Sequence, residues 1–334
     1  MNGCEPTALM PSGRRGWTGD ELLRTGAHLY RLDARQLARL ARELPAGLLP
    51  RHLADLDRVR ARVAGPLGDI ANTLIDRLGT DGPGLAILTG DGIDRLSDGL
   101  LGALLVGLSA LIGRPMQQNS DDELVVSVRD TLPADVATAR GYLSNGPMLM
   151  HTDPTDVAAL LCLQASAHGG ASLFSSSEAV RDVLAGEAPS EVDMYHRLWS
   201  WDLRGMQAPG ASPYVTTPIF CEYAGLLSCR FGSLMLREGA RATGSLTSEA
   251  VAALDRFEDV AKRASLTLRH VLSRGDSVWM DNYRVLHGRE EFQDRPDAGC
   301  ARHLLRIWLW RHKRPELAQE LDPFAEAMDW RSRA

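Results

Sequence analysis

Apolar positions recur at three- and four-residue spacing over residues 32–44 and 53–78, the period of helices with one buried face. Pro45, Pro50 and Pro66 interrupt this stretch, and the pattern predicts a break at each. Residues 84–89 read as a short apolar strand, and 97–112 as a buried helix stopped by Gly113 and Pro115. From about residue 124 the texture changes. Short apolar runs at 124–128, 157–164, 171–175, 214–220, 226–231, 277–280 and 304–310 are separated by turns, which predicts a pair of facing sheets more than a parallel α/β fold. An amphipathic helix is expected over 249–269, a lid over the polar stretch 181–213, and a peripheral helix after Pro315. The resulting fold class is α+β: a jelly-roll, or double-stranded β-helix, core flanked by N-terminal and inserted helices. Residues 1–20 read as a flexible leader and 21–334 as one domain. That domain comprises a helical part at 21–115, a core over about 84–312 and a tail at 313–334.

Composition narrows the partners. A chain of 334 residues with 44% hydrophobic and 24% charged residues is an ordinary globular protein with ample core. Its net charge of −6 argues against nucleic acid or an anionic membrane as a partner. The most apolar run, 100–112, is too short to span a bilayer. Five scattered cysteines with no CxxC pair predict neither a disulfide framework nor a thiolate zinc site, and suggest a reducing, cytoplasmic setting. Oligomeric state is not legible.

Candidate chemistry begins at His151-Thr152-Asp153. In a strand, residues i and i+2 share a face, so one metal can take nitrogen from His151 and oxygen from Asp153. Alone, such a pair is more often an ordinary strand end. His287 changes this, because it follows an apolar strand with a polar rim, Trp279-Met280-Asp281-Asn282, that a closing sheet can return to His151. Two imidazoles and one carboxylate on one face leave three positions open on ferrous iron. The histidines at 28, 52, 168, 196, 270 and 312 lack a carboxylate at short spacing and read as structural. On the strand around 302–310, Arg302 and Arg306 share a face, and His303 points the other way. Two arginines in an apolar strand need partners. Structural salt bridges and bidentate capture of carboxylates both remain open.

These segments, with Gly169-Gly170-Ala171-Ser172-Leu173-Phe174, resemble the taurine dioxygenase and clavaminate synthase branch of the Fe(II)/2-oxoglutarate-dependent oxygenases. The likeness covers about residues 84–312. It implies one catalytic domain in which His151, Asp153 and His287 bind Fe(II), Arg302 and Ser172 hold the far carboxylate of 2-oxoglutarate, and O2 is the second cosubstrate. Arg306 would grip an acidic group of the substrate. The interval from His151 to Ser172 is shorter than in taurine dioxygenase. That from His287 to Arg302 is longer than in clavaminate-like members, which leaves open which arginine holds the cosubstrate. A carboxylate at 153 favours hydroxylation over halogenation. The expected substrate is a small carboxylate-bearing molecule such as an amino acid or a derivative, in specialised metabolite biosynthesis, with Ser144 and Asn145 as candidate pocket residues. Desaturation or cyclisation on the same scaffold is one alternative, and a non-catalytic jelly roll that binds a small acid is another. No GxSxG elbow supports a hydrolase.

Overall fold

The computed structural model describes residues 16–328 apart from 49, 120–122, 132–142, 224, 296–300 and 314–322. Most of the expected leader and tail lie outside the described residues. Residues 17–20 of that leader belong to the fold: Trp17 is buried, its indole donates to Pro83 O at 2.8 Å, and a helix begins at Gly19.

Two sheets form the core. The larger runs, in spatial order, Leu29–Leu32, Leu85–Gly90, Ser277–Asp281, Val157–Gln164, His303–Arg311 and Gly113–Met116, and Val125–Val128 also pairs with His303–Arg311. The smaller runs Leu268–His270, Ser172–Ser176, Val285–Arg289 and Met148–His151. Strand His303–Arg311 shows how the period-two rule divides the molecule. Leu304, Trp308 and Trp310 face the smaller sheet, while Ile307 and Leu309 face the helices. Val157–Gln164 is buried on both faces, which explains its nearly unbroken apolar sequence.

The helical layer follows the same physics, with one correction. Helix Leu56–Leu78 continues through Pro66, where a break was expected. The proline costs about 3 kcal/mol. Val59, Val63, Leu67, Ile70, Leu74 and Leu78 are all buried, at roughly 1.5–3 kcal/mol for each large side chain, and burial wins. The helix packs on Asp98–Ile112 so closely that a Cβ on Gly107 would lie 2.5 Å from Leu67 Cδ1.

Three other boundaries shift. The inserted helix spans Ser248–Ala261 rather than 249–269, because after Ala261 the apolar spacing falls to two and Leu268–His270 joins the smaller sheet. The run 214–220 splits into Tyr214–Pro218, paired with Leu198–Asp202, and Phe220–Tyr223, paired with Leu226–Cys229. The 181–213 stretch is largely packed structure, with Arg181, Leu184, Tyr195 and Trp199 buried. Cys162 and Cys229 are free thiols, whereas Cys221 is disulfide-bonded, against the expectation for the cysteines. Among the described residues no helix is long and apolar enough to cross a membrane.

Candidate metal centre

Register builds the site. His151 ends its strand directly opposite His287, and the two rings lie 4.3 Å apart between centroids. Asp153 follows at the turn, with Oδ1 3.6 Å from His151 Nε2 and Oδ2 3.4 Å from His287 Nε2. Donor atoms from all three lie within 4.8 Å of one another, and no other such cluster of three occurs among the described residues.

The surroundings hold this geometry. His151 Nδ1 contacts Leu149 O at 2.8 Å, which fixes the ring and aims Nε2 at the cluster. The Asp153 backbone N–H donates to Asn282 Oδ1 at 3.1 Å, and the Trp308 indole donates to Asp153 Oδ2 at 2.8 Å. Arg230 is fully buried behind the turn. It donates through one nitrogen to the carbonyls of Asp153 and Thr155, at 2.7 and 3.1 Å, and stacks 3.8 Å from the Tyr283 ring centroid. Burial alone would raise the Asp153 carboxyl, but its contacts with His151 and His287 hold it well below the usual carboxylate range. Burial, and then the neighbouring His151, lower the pKa of His287, so its imidazole stays neutral. The ionised Asp153 and the neutral His287 are in the protonation states that metal binding requires, and this donor set suits ferrous iron.

His151, Asp153, Arg306 and Trp308 line one cavity of about 320 Å3, whose wall includes Trp201 and Asp202. His287 reaches the cluster through Asp153 without lining the cavity. Residues 201–204 and 206 alone represent the expected lid there. Arg306 projects from strand His303–Arg311, donates to Gln118 Oε1 at 2.8 Å and lies 4.5 Å above the Trp308 ring. His303 turns away as expected, toward Ser127 and Arg129.

Arg302 is buried in a separate narrow cleft with Cys162, Ser166, Gly170 and Leu304. Burial lowers its guanidinium to about 10. Among the described residues its Nη1 has no hydrogen-bond partner, and Asp294 accepts from its backbone N–H. A buried guanidinium with an open donor fits a bound carboxylate. Ser172 is buried at the start of strand Ser172–Ser176 in the smaller sheet, in register with Arg289, and is not among the residues that line this cleft. Ser144 and Asn145 are not among the residues that line the cavity. The Ser144 carbonyl accepts from Arg289 at 2.8 Å and the Asn145 carbonyl from the Phe292 N–H at 3.1 Å, which ties their backbone to the segment after His287. Trp308, Arg230 and Asp202 are the residues around the centre that sequence reading did not single out. Only Trp308 left a signal, as the next residue along the face that carries Arg302 and Arg306.

The sequence model for "Taurine catabolism dioxygenase TauD, TfdA family" matches residues 71–308. The chain belongs to the TauD/TfdA family. FR-33289 synthase from Streptomyces rubellomurinus is 31% identical over 261 residues, 76% of each chain. Iron and 2-oxoglutarate are therefore the cofactors of this TauD/TfdA dioxygenase, and the His151, Asp153 and His287 cluster is a fitting metal centre. The fold resembles an asparagine oxygenase solved with Fe(II), hydroxyasparagine and succinate, at TM-score 0.64 and 18% identity, over 85% of this chain and 93% of that one. It also resembles the oxygenase OrfP with iron and α-ketoglutaric acid, at TM-score 0.60 and 20% identity, over 84% and 94%. The jelly-roll core expected from the strand pattern is the fold found.

Proposed function

We propose that this enzyme hydroxylates an unactivated C–H bond of a small carboxylate-bearing molecule, an amino acid or a derivative of one, in specialised metabolite biosynthesis. The observation that carries the reading is one cavity lined together by two of the metal-centre residues and a guanidinium, Arg306. The named neighbours support the substrate class: asparagine oxygenase was solved with hydroxyasparagine, and OrfP with hydroxylated arginine.

His151, Asp153 and His287 would hold iron on one face. Arg302, buried and with an open Nη1 donor among the described residues, would take the far carboxylate of 2-oxoglutarate, with Ser172 contributing its hydroxyl. Arg306 would dock the substrate acid close to the metal centre, since its charge reaches both Asp153 and His287. When bound, iron and 2-oxoglutarate supply the oxidising chemistry: O2 is consumed, 2-oxoglutarate loses CO2 to give succinate, and one oxygen atom enters a substrate C–H bond. The protein contributes position and dryness. Trp201, Leu203, Met206, Met235 and Trp308 wall the cavity with apolar surface that excludes water and adapts to an irregular substrate body.

The test has two stages. Anaerobic addition of Fe(II) and 2-oxoglutarate should give a weak visible charge-transfer band. Free and N-acylated amino acids are then screened with O2 for stoichiometric succinate and a product heavier by one oxygen. Succinate formation that no carboxylate-bearing compound accelerates would remove the substrate assignment and leave the cofactor assignment standing.

A further inference from the structure

Trp308 touches both parts of the site. It lies two residues beyond Arg306 on strand His303–Arg311, so both side chains leave the same face of the sheet. Its indole N–H donates to Asp153 Oδ2 at 2.8 Å in a buried contact. Its ring lies beneath the Arg306 guanidinium, 4.5 Å from Cζ to the centroid. Asp153 Oδ2 is thus shared between the indole and His287, while Oδ1 faces His151.

A carboxylate can bind a divalent cation through one oxygen or through both. Six positions around iron, less two imidazoles and a chelating carboxylate, leave two, which a chelating cosubstrate fills with no place for O2. A carboxylate held to one oxygen leaves three. An N–H donor fixed on Oδ2 opposes rotation of the carboxylate into the chelating mode. Fixed outer partners of this kind set ligand orientation in metal sites.

We propose that Trp308 is a positioning residue that keeps Asp153 a one-oxygen ligand and, through its ring face, mechanically links the substrate anchor Arg306 to the metal centre. The proposal rests on the iron and substrate reading above. One aromatic residue then carries two separable contacts. The N–H governs the metal, and the ring governs the guanidinium above it.

The experiment is anaerobic titration of the metal-free enzyme with Co(II), a spectroscopic substitute for Fe(II). Trp308→Phe keeps an aromatic face and loses the donor. It should raise the Co(II) Kd roughly 10- to 100-fold and change the visible Co(II) spectrum as the carboxylate turns. Trp308→Leu loses both contacts and should in addition raise the substrate KM above that of the phenylalanine variant. A cooperatively folded Trp308→Phe protein with parental Co(II) affinity and spectrum overturns the proposal. Should that variant not fold, the parent decides. Among its seven tryptophans, the indole N–H resonance of Trp308, identified through single replacements of the other six, should show the largest shift on adding Zn(II). A larger shift at any other indole overturns the proposal equally. A parent that binds neither Co(II) nor Zn(II) removes the metal reading itself, a distinct outcome.

Discussion

Replacing Arg302 by methionine should move two measurements in opposite directions. The guanidinium is buried, and among the described residues its Nη1 has no partner. Burial brings it down to about 10, at least two factors of ten below an ordinary arginine. At about 1.4 kcal/mol for each factor of ten, the free protein holds this charge at a cost of roughly 3 kcal/mol. The contact with Phe292, 5.0 Å from Cζ to the ring centroid, returns about 0.5–2 kcal/mol of that. Methionine has similar reach and no charge. The free Arg302→Met protein should therefore be more stable than the parent by about 1–2 kcal/mol, a rise of a few degrees in Tm for a chain of this size. The cosubstrate should behave oppositely. Loss of a buried, charge-assisted partner costs about 2–5 kcal/mol, which is roughly a 30- to several-thousand-fold rise in the 2-oxoglutarate Kd. Differential scanning calorimetry without O2, with metal and with or without 2-oxoglutarate, reads both effects. The parent should gain Tm with cosubstrate and the variant should not. A variant that is destabilised when free, yet gains as much Tm from 2-oxoglutarate as the parent, would show that Arg302 is a structural cation and refute the reasoning.

Other outcomes follow from the same geometry. His287→Ala should abolish turnover and bind Co(II) at least tenfold more weakly while unfolding cooperatively; parental 2-oxoglutarate consumption would exclude it from the metal centre. Arg306→Ala should raise the substrate KM by one to two orders of magnitude and leave the anaerobic 2-oxoglutarate band nearly unchanged, and lysine should rescue only partly because it lacks the planar fork. If Arg306→Ala loses the band and Arg302→Met keeps it, the two roles are reversed. His28 provides a pH signature away from the site. Burial, followed by the nearby His270, lowers it to about 4. Between pH 6.5 and about 4 the unfolded chain takes up a proton that the folded chain refuses, so stability should fall as pH drops through that window. Thermal melts across it should show a shallower slope in His28→Leu.

The metal centre was legible because its signals are local. His151 and Asp153 stand two residues apart, close enough to share a metal even though only His151 lies in the strand and Asp153 follows at the turn, and His287 is marked by the strand and polar rim before it. The layered fold was legible for a similar reason, since Val157–Gln164 and His303–Arg311 carry their burial in their apolar pattern. What escaped depends on atoms brought together from far along the chain. The backbone of Ser144 and Asn145, just before the ligand strand, is tied by Arg289 and Phe292 from 145 or more residues away. Pro66 carried a stop signal that six buried apolar side chains overrode. Arg230 looked like any charged residue in a strand sequence, because its partners are the backbone of residues 153 and 155 and the Tyr283 ring.

Among the described residues, strand Met148–His151 is the edge of the smaller sheet and pairs on one side only, with Val285–Arg289. Edge strands fray first, and their amides trade protons with solvent before those of interior strands. A metal held by His151 and His287 would act as a rivet through that one seam, closing it where backbone pairing is weakest. Amide hydrogen exchange at 148–151 should then slow sharply with metal occupancy, while 157–164, paired on both sides, stays indifferent. The outermost strand would thus serve as a gauge of whether the enzyme is loaded.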